Sequence, residues 1–450
     1  MTQARERSIA HTALLLLPVQ IVFRTGEAIV PLLLAAWFGR SPETDAYYLA
    51  WAFFTFAGAL VASAYQDSAL IPVLTEVQAR DAREYVAVLR SLLGHTLAYA
   101  AALGLGMGAI ALAWFRVRYS GDLFAVAAAL VPPFALYLVA LSARALAVGA
   151  LNQRGRYFVH PIASGAGIVA AIGTIALGRE ALGVRILPIA WLAQELVAAA
   201  IAGGALNALA GAPLLPTFTR PEPVTRFFRL VASEVVGSAI TRINPVVDQV
   251  MAGLSSLVGG GTLLRYAFDV ASLPTSAAQA TTFPVLLSHL SRDAAEKRWD
   301  SFSRTVNRAL LAVCSLLAVA CALLAVLRGP ILRLVFLHGA MDAAGVERMG
   351  EILPYALAGV PAFGALLILA RAHVALQNSR IMVSMGILNA ALNAVFDVVL
   401  FQFLGLRGIA LSTSVMQLAI AIVFWVRLRT KLRHDAREPL QRDQKALPHA

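Results

Sequence analysis

The sequence predicts an all-α polytopic membrane protein with about twelve transmembrane helices in two six-helix lobes around a central cavity. Three observations predict it. Of the 450 residues, 59% are hydrophobic and only 14% charged, against about 25% charged in ordinary soluble domains. Apolar runs of roughly 20 residues, enough to cross a ~30 Å hydrocarbon layer, recur along nearly the whole chain and leave no stretch for a soluble domain. Lys and Arg gather in alternate loops, as they do on the cytoplasmic side of multipass proteins.

The runs fall at 9–38, 46–72, 87–114, 122–149, 158–178, 184–208, 227–257, 263–289, 304–327, 351–374, 380–403 and 406–427. The first follows the charged start MTQARERSIA. It is too long for a signal peptide and no small-residue cleavage site closes it, so it reads as an uncleaved span. With the N-terminus inside, twenty-four of the 37 Lys and Arg fall in cytoplasmic segments and nine outside. That asymmetry predicts a cytoplasmic (inner) membrane protein with both termini cytoplasmic. The net charge of +12 then reports topology and attraction to the anionic inner leaflet, and nucleic-acid binding is not expected. The polar tail 431–450 reads as a flexible basic end on anionic lipid, or as a stop-transfer signal alone. Cys314 and Cys321, seven residues apart in an apolar run, read as packing residues rather than a disulfide or metal site.

A weak internal repeat divides the chain. ALIPVLTE (Ala69 to Glu76) closes the second span and TTFPVLLS (Thr281 to Ser288) the eighth; ALNQRGRYFV (Ala150 to Val159) has its echo in ALQNSRIMV (Ala375 to Val383). Both echoes pair a span with the one six later, which predicts halves of equal orientation. The proline-rich segment 211–227 separates an N-terminal lobe, 1–211, from a C-terminal lobe, 212–430.

Charges inside spans mark the candidate site. A charge at mid-bilayer costs about 2.5–3.5 kcal/mol on insertion scales, so such a residue faces protein or a wet cavity. In VFRTGEAIV, Arg24 and Glu27 are one helical turn apart, and Gly26 and Pro31 favour a bend beside them. Span seven carries Glu234, Arg242 and Asp248 around Pro245. Span eight adds Arg265 and Asp269, span eleven Asn389, Asn393 and Asp397 on one face, and Asp45 opens span two. Bent helices at corresponding places in two halves point to a transporter's central site. Arginines there attract phosphate or carboxylate, and the acids keep them soluble when empty or take up a proton or Na+. Interhelical packing bonds explain any single one of these residues as well. Catalysis has little support: the histidines are scattered, no triad or metal-ligand spacing occurs, and the glycines of SSLVGGGTLL fit a flexible turn. No enzyme activity and no cofactor are expected, apart from a coupling ion (proton or sodium) or the membrane potential.

In these residues the chain resembles the MviN/MurJ family of lipid II flippases, within the superfamily of multidrug, oligosaccharidyl-lipid and polysaccharide exporters. The likeness runs through WFGRSPETDAYYLA, where Thr44-Asp45-Ala46-Tyr47-Tyr48 is similar to the family's T-D-A-F-F, then ALIPVLTE, GALNQRGRYFVHP and LLRYAFDVASLPTSAAQATTFPVLLSHLS. The resemblance implies a two-lobe bundle with a cavity lined by spans one, two, seven and eight. It would move an isoprenoid-diphosphate-linked sugar to the outer leaflet by alternating access. Arg24 would match the first of two span-one arginines that face the diphosphate, and Asp45 an acidic position of the family. Val30 stands where the second arginine belongs, Phe268-Asp269 stand for an adjacent Asp-Arg, and members usually have fourteen spans rather than twelve.

The sequence therefore leads to a flippase for a polyprenyl-diphosphate-linked saccharide, lipid II or a related glycan intermediate. Arg24 and Arg242 are expected on the diphosphate, with Glu27, Asp248 and Asp269 tempering them. A cation-coupled exporter of small amphipathic molecules is the alternative.

Overall fold

The computed structural model describes residues 29–63, 65, 69–281 and 283–446. Arg24, Gly26 and Glu27 lie outside them. Among the described residues the secondary structure is helical, with no strand. Seven helical stretches there are long and apolar enough to cross a bilayer: Arg83–Arg118, Gly121–Gln153, Val159–Ala210, Trp299–Val326, Ala343–Ala375, Ser384–Leu404 and Leu406–Arg433. The fold is that of an all-α membrane protein.

The chain forms two compact units, Met1–Gln249 with His338–Met341, and Val250–Leu337 with Asp342–Ala450. The first holds α1 (Ile29–Phe38), α2 (Pro42–Ser63), α3 (Leu70–Arg80), α4 (Ala82–Arg118), α5 (Gly121–Gln153), α6 (Val159–Leu182), α7 (Ile186–Ala210) and α8 (Glu222–Arg242). The second holds α10 (Gly260–Thr281), α11 (Phe283–Ala295), α12 (Trp299–Val326), α13 (Arg328–Phe336), α14 (Ala343–Ala375), α15 (Ser379–Leu404) and α16 (Leu406–Ala446). Helix α9 (Asn244–Gly253) runs from one into the other.

In the first unit α5 is central and packs on α2, α4 and α7, while α6 lies along α7. Helix α8, which starts within the proline-rich segment 211–227, packs on α2, α3 and α4. One apolar core joins Leu70, Val73 and Leu74 to Leu89 and Leu92, Leu146 and Leu151, and Phe227. Segment 211–221 is a strap along α4. Thr217 N donates to Arg90 O at 3.0 Å, and Arg90 Nη2 to Pro213 O at 3.0 Å. Gly94 makes room for it, since a Cβ there would meet Thr217 O at 2.2 Å.

In the second unit α14 is the hub, packed on α10, α12 and α16. Its contact with α16 is close because Gly359 faces Ser414, whose hydroxyl donates to Tyr355 O at 2.6 Å. Small residues and hydroxyls are how membrane helices approach closely where burial from water supplies no drive.

Two expected spans are interrupted: span 46–72 runs through α2 and into the start of α3, and span 227–257 is α8 and α9 broken at Ile243. In each the second helix carries a proline in its first turn, Pro72 and Pro245. Proline lacks an N–H and is tolerated there because first-turn N–H groups have no intrahelical acceptor. The tail, expected to be flexible, continues α16 as helix to Ala446; its Arg, Lys, Gln, Leu and Ala favour helix without any apolar stripe.

Candidate functional site

In the first unit, Asp45 lies in the opening turn of α2. Ser41 and Thr44 cap that helix reciprocally: Ser41 N donates to Thr44 Oγ1 at 2.7 Å and Thr44 N to Ser41 Oγ at 3.2 Å. The half-buried Asp45 carboxylate therefore sits at the positive end of the helix dipole. Its charge also reaches Tyr119, just beyond α4. Burial first and Asp45 second push the Tyr119 hydroxyl up to about 12, against the pull of Arg118.

Arg242 ends α8 and is exposed, and Asp248 is buried in α9. The break at Ile243 stands between them, where Val246 N and Val247 N both turn back to Ile243 O at 2.9 and 3.2 Å. The bend expected around Pro245 is thus a true interruption. Glu234 lies along α8, upstream of that break.

In the second unit the structure brings together two of the expected groupings. Arg265 Nε and Asp269 Oδ1 are 3.0 Å apart on α10, with both side chains partly exposed. On α15, Asn393 and Asp397 are fully buried. Asn393 Nδ2 donates to Asp397 Oδ2 at 3.4 Å, and the Ser412 hydroxyl of α16 donates to Asp397 Oδ1. This cluster ties α15 to α16 and can neutralise the carboxylate by hydrogen bonding, by a proton or by a cation. Asn389, one turn earlier, is half-buried.

Sequence reasoning missed one buried ion pair. Arg144 Nε on α5 donates to Glu195 Oε2 on α7 at 2.5 Å, and Arg144 Nη2 to Glu195 Oε1 at 3.3 Å. The side chains are 13% and 3% exposed. Gln194 Nε2 adds a donor to Oε1 at 3.4 Å, and nearby Trp191 Nε1 donates to Tyr47 OH at 2.7 Å within an aromatic cluster that includes Trp51 and Phe134. The signal was present: Glu195 is the one charged residue of α7, and Arg144 has no opposite charge three or four residues away, so each partner had to come from another helix. A second missed contact joins Glu76 of α3 to Arg80 and to Arg226 of α8.

Comparison with known proteins bears on what this arrangement serves. The sequence model described as lipid II flippase MurJ matches residues 34–443. The chain belongs to that family. A probable lipid II flippase MurJ of Rhizobium tropici is 26% identical over 416 residues, spanning 88% of this chain and 76% of the relative. One from Vibrio cholerae is 24% identical over 406 residues, spanning 84% and 74%. A solved lipid II flippase MurJ in an inward closed conformation superposes with a TM-score of 0.80 at 20% identity, covering 92% of this chain and 87% of that one. An inward-facing multidrug resistance transporter of the MATE family and MOP superfamily gives 0.72 at 13% identity, covering 92% and 95%. Both likenesses are of fold. MurJ-family membership accounts for the bent helices and intramembrane charges together, since a flippase needs polar groups at depth and helices that change angle.

Proposed function

We propose that this chain is a flippase that carries a polyprenyl-diphosphate-linked saccharide, lipid II or a closely related glycan intermediate, from the inner to the outer leaflet of the cytoplasmic membrane. The observation that carries the reading is the match of the lipid II flippase family over residues 34–443. In this reading Arg24 and Arg242 bind the diphosphate. The exposure of Arg242 at an interrupted helix supports its part: a guanidinium at a helix break is able to follow a ligand through a change in helix angle, and its fork matches phosphate oxygens. Glu27, Asp248 and Asp269 temper the positive charge, and Asp45 and Arg265 complete the polar lining.

Alternating access requires the unloaded cavity to reset. A proton, a sodium ion or the membrane potential drives that step, and the buried Asn393–Asp397–Ser412 cluster is the group best suited to take up a cation. Both termini are cytoplasmic in this scheme, which follows the charge asymmetry of the loops. Export of small amphipathic molecules by the same fold is the rival reading, and the family match favours the lipid-linked saccharide over it. Replacement of Arg242 by Ala and by Lys, in cells that depend on this chain, tests the assignment. Flipping should fall strongly with Ala and partly with Lys; normal flipping in both removes Arg242 from the site.

A further inference from the structure

Where α12 begins and the apolar part of α16 ends, a cleft of about 340 Å³ opens within the second unit. Trp299, Ser303 and Asn307 line it from α12, and Trp425, Arg429 and Arg433 from α16. The Arg429 guanidinium lies 3.9 Å over the Trp425 ring, so its face is taken by the indole and its N–H edge is left for an acceptor. Among the described side chains, neither Arg429 nor Arg433 is ion-paired with a carboxylate. Asp300 is the one acid among the described lining residues.

We infer that this cleft seats an anionic phospholipid with a hydroxylated headgroup, of the phosphatidylglycerol type. Two guanidinium groups match its phosphate, and Ser303, Asn307 and Asp300 offer partners to glycerol hydroxyls. Deeper in the span, Leu311 of α12 and Leu418 and Ile422 of α16 are exposed, an apolar surface for acyl chains. Tryptophans at the ends of both apolar stretches fix the depth as the headgroup boundary. The leaflet follows from the residues around that end, Arg292, Lys297, Arg298, Arg304, Arg308 and Arg427: such a basic concentration is retained on the cytoplasmic side and drawn to anionic lipid. The site is separate from the residues assigned to translocation and does not depend on the proposed substrate.

Native mass spectrometry of the purified full-length protein, titrated with phosphatidylglycerol and with phosphatidylcholine, tests the inference. Phosphatidylglycerol should bind roughly tenfold or more tightly than phosphatidylcholine, and the Arg429→Ala, Arg433→Ala double variant should lose that preference. The Lys, Lys double variant should keep part of it. Ser303→Trp, which fills the cleft and leaves both arginines, should also abolish it and guards against misfolding of the charge variant. Equal binding of the two lipids, or an undiminished preference in Ser303→Trp, overturns the assignment. So does displacement of the lipid by inorganic phosphate at matched concentration, which identifies a plain anion site. Lost lipid binding with unchanged flipping keeps the cleft and the proposed function apart.

Discussion

Arg144 and Glu195 form a two-point ion pair between α5 and α7, with the closer contact at 2.5 Å and both side chains almost wholly buried. Removing one partner of such a pair strands a charge in a low-dielectric setting, at about 3–5 kcal/mol, whereas replacing both by apolar residues is often neutral. Arg144→Met alone and Glu195→Leu alone should each lower the thermal unfolding midpoint clearly. The double variant should recover most of the loss. A double variant as unstable as the worse single one would show that the charges serve more than each other.

Gly39 and Gly339 interlock. The first has φ +58° and a Cβ there would meet Ala340 O at 2.3 Å; the second has φ +62° and would meet Ala36 O at 2.1 Å. Ala340 N donates to Ala36 O at 2.7 Å, closing the join. Alanine at either position should cost about 1–3 kcal/mol through strained backbone alone, and more through the clash. Gly121→Ala, with φ +55° and no atom within 4 Å, is the matched control that has the strain without the clash. Thermal unfolding of the three variants should rank Gly121→Ala as the mildest.

Acid should loosen α8 from α3. The hydrogen bond from Arg226 leads the causes that hold the Glu76 carboxyl below its ordinary value of 4.5. A lowered folded pKa means that the contribution is complete above the ordinary value and fades as pH falls through the folded one. Wild type and Glu76→Gln should therefore differ in stability at neutral pH and converge on acidification below that range. A difference that persists at low pH would assign Glu76 an uncharged role.

The Asp397 cluster separates two roles. Asp397→Asn keeps an acceptor for Ser412 and should fold near normally, while Asp397→Ala leaves polar groups of Ser412 and Asn393 short of a buried partner, at about 1–3 kcal/mol. If the carboxylate takes up the coupling cation, flipping in Asp397→Asn should lose its dependence on an imposed proton or sodium gradient. Flipping that still responds to the gradient places the coupling step elsewhere.

Fold class was legible because the bilayer imposes long apolar helices whose composition needs no partner to be recognised. The bend near Pro245 and the pair Arg265–Asp269 were legible too, since both depend on spacing within one helix. Arg144–Glu195 was not, because its two halves are 51 positions apart and only the packing of α5 on α7 unites them. For the same reason Asn393 and Asp397 could be placed on one face, but not tied to Ser412. The splitting of two spans was half-visible in Pro72 and Pro245: a proline marks a first turn as readily as a kink, and the sequence does not say which.

The central claim is that guanidinium groups of this chain handle a lipid-linked diphosphate. The direct measurement is the appearance of a labelled polyprenyl-diphosphate saccharide at the far leaflet of proteoliposomes containing the purified protein, with wild type, Arg242→Ala and Arg242→Lys compared at equal reconstitution. Wild type should translocate the label, Ala should slow it roughly tenfold or more and Lys less, in keeping with loss of a charge-assisted bond worth about 1.5–3 kcal/mol. Equal rates in all three, or no translocation by wild type with lipid II and related carriers, would contradict it.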